Sequence, residues 1–348
     1  MPVHVSTFAQ FPVDRFGMPL ISIIVPCFNE ENTIQLLLDA LGQQTVSHSC
    51  LEIVIADGLS TDGTHRAVQA FQQQHPELKI VWVENPRRNI PSGLNAALAA
   101  AAGEVIVRLD AHSIPAPDYV ERCLAGLEAG LGENVGGVWE IRPGGAGWMA
   151  RSIAVAAAHP LGVGDARYRI SGQAGEVDTV PFGAFRHEVL DRIGRYDETL
   201  LSNEDYELNA RLRKQGGRVY LDPAIRSGYF ARATLSALAR QYFRYGYWKL
   251  RMLRRYPDTL RWRQALPPLL VLSLVLLGLA ALFSPFFRVL WLVEIGLYAL
   301  ALLVAGGLTA ARKREPALLL GLPLAIATMH LAWGAGFLVS LLDFKRNH

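Results

Sequence analysis

Residues 20–44 read LISIIVPCFNEENTIQLLLDALGQQ. The first six form a β-branched run short enough to be a buried parallel strand, and Pro26 ends it because proline cannot donate to a sheet ladder. IQLLLDALGQQ then carries its apolar residues on one helical face, with Asn32 or Thr33 available as the cap. The same order recurs downstream. LEIVIA, 51–56, is a second buried strand that stops at Asp57-Gly58, and STDGTHRAVQAFQQQ, 60–74, is a capped helix. KIVWVE, 79–84, is a third strand, IPSGLNAALAAAAG, 90–103, a helix closed by Gly103, and EVIVRLD, 104–110, a fourth strand. Strands alternating with helices predict a mostly parallel, doubly wound α/β sheet, whose ligands bind beyond the carboxyl ends of the strands. Those ends carry Glu30, Asp57 and Asp110.

The 348 residues are 51% apolar, and the excess lies at one end. Up to about residue 230 charge, glycine and short apolar runs are mixed, but from Leu266 the chain is almost wholly apolar. Stretches 266–284, 289–311 and 317–342 each approach the roughly 20 residues that span a bilayer. Buried helices of a soluble bundle would show a polar face, and these show almost none. Glu294, Thr328 and His330 are their polar exceptions.

Between Arg226 and Arg263 ten Lys or Arg residues face one acid, Asp258. Placed directly before the first apolar stretch, the cluster reads as a cytoplasmic flank attracted to anionic lipid, which leaves no need for nucleic acid as a partner. Arg312, Lys313 and Arg314 put the second loop on the same side. Lys345 and Arg346 then fall outside, against the rule, so a re-entrant third stretch is the alternative. Cys27, Cys50 and Cys123 have no metal spacing and cannot all pair, which fits a reduced cytosolic domain. No amino-terminal signal peptide is visible, because the run from Leu20 is short and meets Pro26.

Neither G-x-x-x-x-G-K-[ST] nor G-x-G-x-x-G follows the first strand, which disfavours a binder of ATP or NAD. The glycines of RPGGAGW, 142–148, open no helix and read as a loop. A different set of blocks stands out. ISIIVPCFNEENTI (21–34), IVIADGLSTDGT (53–64), GLNAALAAAAGEVIVRLDAH (93–112), VPFGAFRHEVLDRIGRYDETL (180–200) and NEDYELNARLRKQGGRVYLDP (203–223) resemble, in order and spacing, the family 2 glycosyltransferases of the GT-A fold. With the basic segment and apolar tail, the chain is similar to bacterial membrane-associated transferases of the succinoglycan type, which build exopolysaccharide repeat units on a lipid carrier.

The resemblance implies a GT-A nucleotide-diphospho-sugar transferase fold over residues 20–235, after an extension at 1–19. A basic amphipathic interfacial segment at 236–265 and an all-α transmembrane tail at 266–343 follow. It implies an inverting transferase that moves a sugar from a nucleotide donor, UDP-linked, to a polyprenyl-diphosphate-linked saccharide. The protein would be multi-pass in the inner membrane, with the catalytic domain in the cytoplasm beside membrane lipids and polysaccharide-assembly proteins. A processive synthase of the same family and a non-catalytic membrane scaffold are the competing readings.

Residue by residue, the resemblance puts Pro26, Glu30, Asp57 and Asp110 on the donor side. Glu30 stands at the ribose and Asp57 at the base, where a carboxylate suits the imide N–H of uracil; the residues alone equally allow helix-capping loop acids. Asp62 reads as a first-turn acid on a helix dipole. Arg87 and Arg88 are either a screen for the diphosphate or a solvated basic turn. Asp110-Ala111-His112 takes the place of the family's D-x-D, which holds Mn2+ or Mg2+ on the diphosphate. His112 departs from the second aspartate, and imidazole suits manganese better than magnesium.

Glu204-Asp205 matches the E-D pair that supplies the base, with Asp205 the base and Glu204 orienting it or the acceptor. SNED is also a good helix start. Gly183 and Arg186 match the acceptor-side loop, Gly183 allowing close approach and Arg186 opening a helix. IGRYDE, 193–198, looks like a structural turn. RQYFRYGYWK, 240–249, resembles the Q-x-x-R-W block of processive synthases, with Gln241 and Arg244 matching, Arg244 toward the diphosphate, and Tyr245 in the tryptophan's place. An interfacial amphipathic helix explains the same residues without chemistry.

Overall fold

The computed structural model describes residues 19–346 apart from Ser171 and Leu260. The extension expected at 1–19 lies outside these residues but for Pro19. Nine strands are present among them: β1 (Ile21–Cys27), β2 (Leu51–Asp57), β3 (Lys79–Glu84), β4 (Val105–Arg108), β5 (Ile114–Pro115), β6 (Asn134–Arg142), β7 (Gly175–Glu176), β8 (Ala184–Arg186) and β9 (Val219–Phe230). The helices through the first two thirds are α1 (Ile34–Gly42), α2 (Thr64–Gln74), α3 (Ile90–Ala100), α4 (Tyr119–Glu128), α5 (Trp148–Ala156), α6 (Pro160–Val163), α7 (Arg167–Ile170), α8 (His187–Ile193) and α9 (Glu204–Lys214). Then come α10 (Leu235–Arg255), α11 (Trp262–Ala281), α12 (Pro285–Lys313) and α13 (Leu318–Arg346).

Two compact units divide the chain. The first holds the described residues up to Gly137 together with Ala174–Glu198 and Arg211–Ser227. The second holds Val138–Gln173, Thr199–Ala210 and the chain from Gly228 onward.

In the first unit the sheet order begins β3-β2-β1-β4 and continues through β8, β6, β9 and β5. The first four strands are parallel, and β8 pairs antiparallel with both β4 and β6. Ile23, Ile24, Ile53, Val54, Ile106 and Val107 are fully buried, which is why these strands read as unbroken apolar runs. The register pairs Cys27 with Asp57 and Ile24 with Arg108, so β4 stops three residues short of the end of β1 and Asp110, two residues past Arg108, continues toward the level of Asp57.

Pro26 does not end β1, which runs on to Cys27. Ile24 turns its carbonyl to Leu109 N–H (3.1 Å), so Pro26, two residues on, faces the same side, where pairing with β4 has ended. Thr33 is at the cap position of α1, but its hydroxyl donates to Glu30 instead of capping. Asn89 caps α3 by accepting from Ser92 N–H at 3.0 Å. That helix stops at Ala100, and Gly103 lies beyond it, donating to Ser22 Oγ at 2.7 Å. At this amino end of the sheet the buried Glu52 carboxylate accepts from Ser22, Lys79 Nζ (2.7 Å) and Ala102 N–H (2.5 Å). Burial alone would push its pKa up, but the Lys79 and Ser22 hydrogen bonds win and hold it below the usual carboxylate range.

The second unit is helical. Ile153, Leu238, Tyr242, Leu302, Leu322, Ile326 and Met329 form its core, from α5, α10, α12 and α13. A Cβ on Gly246 of α10 would overlap the carbonyl of Trp333 on α13, so glycine sets how close these helices come. Helices at 262–281, 285–313 and 318–343 are long and apolar enough to cross a membrane. At 1.5 Å per residue the 29 residues of α12 extend about 43 Å. Leu269, Leu276, Leu279, Leu292 and Leu297 are more than half exposed, a surface that water would disfavour and lipid would not. The third apolar stretch is one continuous helix despite Pro323, so the re-entrant turn is not found there.

Candidate active site

Beyond the carboxyl ends of β1 and β2, the loops of the first two sequence blocks lock together. Asn29 N–H donates to Ser60 Oγ (2.8 Å) and Thr61 N–H to Asn29 Oδ1 (2.9 Å). Glu31 N–H donates to Asp62 Oδ2 (3.1 Å), Gly63 N–H to Glu31 Oε2 (2.7 Å) and Glu30 N–H to Thr64 Oγ1 (2.8 Å). Asn29 and Leu59 adopt left-handed φ of 54° and 60° to permit this. Desolvation opposes ionisation of Asp62, but the hydroxyl and amide of Thr64 and the amide of Glu31 keep its carboxyl below the ordinary range. Asp62 is therefore a tie between loops as well as a helix-start acid. Asp57 accepts from Ser60 N–H (2.9 Å) and Ser60 Oγ (2.5 Å), which fixes the carboxylate without using all its lone pairs.

The turn after β4 joins this arrangement. His112 Nδ1 lies 3.2 Å from Glu30 Oε1, and the other oxygen of Glu30 accepts from Thr33. Arg108, 4% exposed, donates to Asp110 Oδ1 at 2.9 Å and lies 5.2 Å over the Phe182 ring. Sequence reasoning passed over Arg108, although a charge inside the apolar run EVIVRLD was the available signal. The Cys27 thiol records the local field. Burial raises its pKa first, and the carboxylates of Glu30, Asp57 and Asp62 raise it further. This edge is negative and favours a cation.

Among the described residues no three His, Cys, Asp or Glu side chains converge as a self-sufficient metal site. Asp110 and His112 do fit a cation shared with a diphosphate, since such ions take one or two protein ligands plus phosphate oxygens. The Nδ1 contact with Glu30 orients the His112 ring, as a carboxylate does for a ligating imidazole.

Gly183 faces Asn134, whose side chain a Cβ would overlap, and its carbonyl accepts from Arg108 N–H at 3.0 Å, near Asp110. Arg186 precedes α8 as expected, but its guanidinium pairs with Glu104 at the amino end of β4, opposite Asp110. The alternation along β8 gives the reason: Arg186 is paired with Val105, three residues down the strand from Gly183. Arg87 pairs with Glu198, and Asn95 holds Tyr196 by its amide (3.0 Å) and carbonyl (2.9 Å) and Glu198 by its carboxylate (2.9 Å). Arg87 and the IGRYDE turn thus brace one another.

In the second unit Glu204 and Asp205 open α9, inside its first turn and not at its cap. Glu204 is 8% exposed and Asp205 half-buried. The turn is held from α10: Tyr256 donates to Glu207 Oε1 (2.7 Å), Lys249 Nζ stands 3.7 Å over the Tyr206 ring, and Met252 packs with Leu200 and Ala210. Gln241 Nε2 donates to the hydroxyls of Tyr229 (3.1 Å) and Tyr245 (3.0 Å), while Arg244 is exposed. Gln241 and Tyr245 are therefore part of one cluster that Arg244 does not join.

The chain has a GT-A fold, in which a parallel sheet with acids beyond its strand ends is extended by antiparallel β8 and β6. The chain belongs to glycosyltransferase family 2 and is a glycosyltransferase: the family described as "Glycosyl transferase family 2" matches residues 22–194. It is 32% identical over 328 residues to the succinoglycan biosynthesis protein ExoA of Rhizobium meliloti (strain 1021), spanning 93% of this chain and 96% of that one. It is 26% identical to a dolichyl N-acetyl-alpha-D-glucosaminyl phosphate 3-beta-D-2,3-diacetamido-2,3-dideoxy-beta-D-glucuronosyltransferase of Methanococcus voltae, over 93% of this chain and 98% of the relative. The structure of a Pyrobaculum calidifontis mannosyltransferase in complex with GDP-Man and Mn2+ superposes with a TM-score of 0.61 at 22% identity, covering 93% and 88% of the two chains.

Proposed function

We propose that the protein is an inverting, membrane-tethered transferase that moves one sugar from a nucleotide-diphospho-sugar, UDP-linked, to a lipid-linked saccharide in exopolysaccharide or cell-surface polysaccharide synthesis. One observation carries this reading. The likeness to the succinoglycan protein runs through the apolar helices as well as the sheet, over 93% of the chain. The name of the Methanococcus relative, a transferase acting on a dolichyl-linked sugar phosphate, supports the same acceptor class.

In this reading Glu30 and Asp57 take the ribose and base, with Pro26 beside them. Asp110 and His112 would hold a divalent cation, Mn2+ or Mg2+, whose charge would ease departure of the nucleoside diphosphate. Asp205 takes the proton from the acceptor hydroxyl as its oxygen bonds to the anomeric carbon and the bond to the diphosphate breaks on the opposite face. Glu204 orients that carboxylate. Gly183 keeps its place on the acceptor side, whereas Arg186 serves the amino end of β4. The helices keep the protein on the bilayer that holds the acceptor, raising its effective concentration. The basic run from Arg226 to Arg263 supports a cytoplasmic position for the sheet unit.

Membranes containing the protein, incubated with a panel of radiolabelled nucleotide sugars and extracted lipid-linked saccharides, should move label to lipid, one sugar per acceptor. Long polymer would replace the single-addition reading with processive synthesis. Donor binding without turnover on any acceptor would point to a scaffold.

A further inference from the structure

In the second unit Trp139 and Tyr229 stack with centroids 4.0 Å apart and planes 2° from parallel. The guanidinium of Arg169 lies 4.7 Å from the Trp139 ring, 5.4 Å from Tyr168 and 5.8 Å from Tyr229. Among the described residues no carboxylate pairs with it. Asp165, four positions earlier, is taken by Arg261 (3.1 Å) and Arg263. Taking a cation partly out of water costs more than its contacts with the rings return. The cluster as it stands is short of negative charge.

The hydrogen bonds sharpen this. Gln241 spends both amide hydrogens on the hydroxyls of Tyr229 and Tyr245. Each phenol already accepts, so its own O–H is left to donate. With the guanidinium, the cluster presents a fork of N–H donors and two O–H donors beside flat apolar ring faces. Donors with positive charge match phosphate oxygens, and ring faces match the C–H face of a pyranose.

We propose that Arg169, Trp139, Tyr168, Tyr229, Tyr245 and Gln241 form a subsite for the diphosphate and first sugar of the lipid-linked acceptor. This deepens the reading above and rests on it for the identity of the acceptor. The cluster belongs to the unit that carries the membrane-length helices, while Glu30, Asp57 and Asp110 belong to the other. Those helices keep the cluster's unit at the bilayer where a lipid-linked acceptor lies, and the diphosphate is therefore assigned to the acceptor.

The test uses the full chain in detergent micelles, titrated calorimetrically with farnesyl diphosphate and, separately, UDP. Arg169→Gln should weaken farnesyl diphosphate about 10- to 100-fold, the worth of hydrogen bonds to a charged group, and leave UDP within about twofold. Arg169→Lys, which keeps charge without the fork, should fall between. Weakened UDP with unchanged farnesyl diphosphate would assign the cluster to the donor and overturn the proposal; no change in either would make it structural only. A wild-type arm covers failure of the variants to fold: farnesyl diphosphate should slow amide exchange at 167–170 and 229–245, and slowing only at 27–31 and 57–64 would overturn it. Binding is read without turnover. A chain that transfers no sugar yet loses farnesyl diphosphate through Arg169→Gln supports the subsite and removes the transfer reading, and one that transfers with an unmoved acceptor KM removes the subsite alone.

Discussion

In the sheet unit Glu30, Asp57 and Asp110 each stand within three residues of the carboxyl end of a strand, on three neighbouring parallel strands. In the helical unit Trp139 and Tyr229 come from the neighbouring strands β6 and β9, Arg169 from the short α7 and Gln241 from α10, and only the tertiary packing of these distant segments brings the four together. Local grammar of strand, turn and helix places the first set, and tertiary packing places the second. Damage to the two sets should therefore differ in kind: a point change at the sheet edge acts on one ligand contact, and one between helices acts on everything those helices align.

The largest expected effect separates the two units by chemistry. Asp205→Asn keeps shape and removes the proposed base, so kcat should fall about 10²- to 10⁴-fold while UDP affinity, which the proposal assigns to the sheet unit, stays unchanged. Equal loss of both would mean that Asp205 serves donor binding and that the division of labour is wrong. Next is Gly246→Leu, whose side chain must part α10 from α13 at Trp333. Overpacking of this kind costs about 1–3 kcal/mol. Hydrogen exchange should speed up along α10 and α13 and stay constant in β1 to β4; uniform acceleration would show that the units unfold together.

The difference between the units also explains what could be read in advance. The four parallel strands, the acids at their ends and the three membrane-length helices were legible because each is a short-range pattern: an apolar run, a turn, a period. Pro26 misled because its tolerance depends on how far β4 pairs, a non-local fact. Gly103 looked like a helix stop and proved to be a donor to Ser22, since only the folded sheet brings them together. Arg186 matched a motif by position, but strand alternation turned it toward Glu104. Arg169 carried no motif at all, and its place among the rings depends on residues from three other segments. The bracing of Glu204-Asp205 by Tyr256 and Lys249 was equally invisible.

A smaller effect tests the sheet unit alone. The pKa of Glu52 is depressed in the folded chain, so its stabilisation is present above the unfolded value of about 4.3 and is lost as pH falls through the lower folded value. Glu52→Gln should destabilise by about 1–3 kcal/mol at pH 7, because Lys79 and the Ala102 N–H lose a charged acceptor. Below the folded pKa wild type and variant should converge. A constant gap across the acid range in urea titrations would show that shape, not charge, is what Gln disturbs. The accompanying exchange pattern should mirror that of Gly246→Leu, faster in β1 and β2 and unmoved in α13.

The smallest effect concerns His112, where this chain departs from the second aspartate of D-x-D. His112 Nδ1 contacts Glu30, and in the proposed site its ring would be a nitrogen ligand, which suits manganese better than magnesium. His112→Asp restores two carboxylates but sets a second negative charge beside Glu30, Asp57 and Asp62, whose field is already felt at Cys27. Two opposed shifts follow: the oxygen ligand favours magnesium, and the added charge tightens any divalent ion. Activity with magnesium should rise several-fold relative to manganese, and the metal concentration for half-maximal rate should fall for both. If the ratio of the two metals stays fixed, His112 does not ligate, and its bond to Glu30 is simply what holds the turn after β4 against the turn after β1.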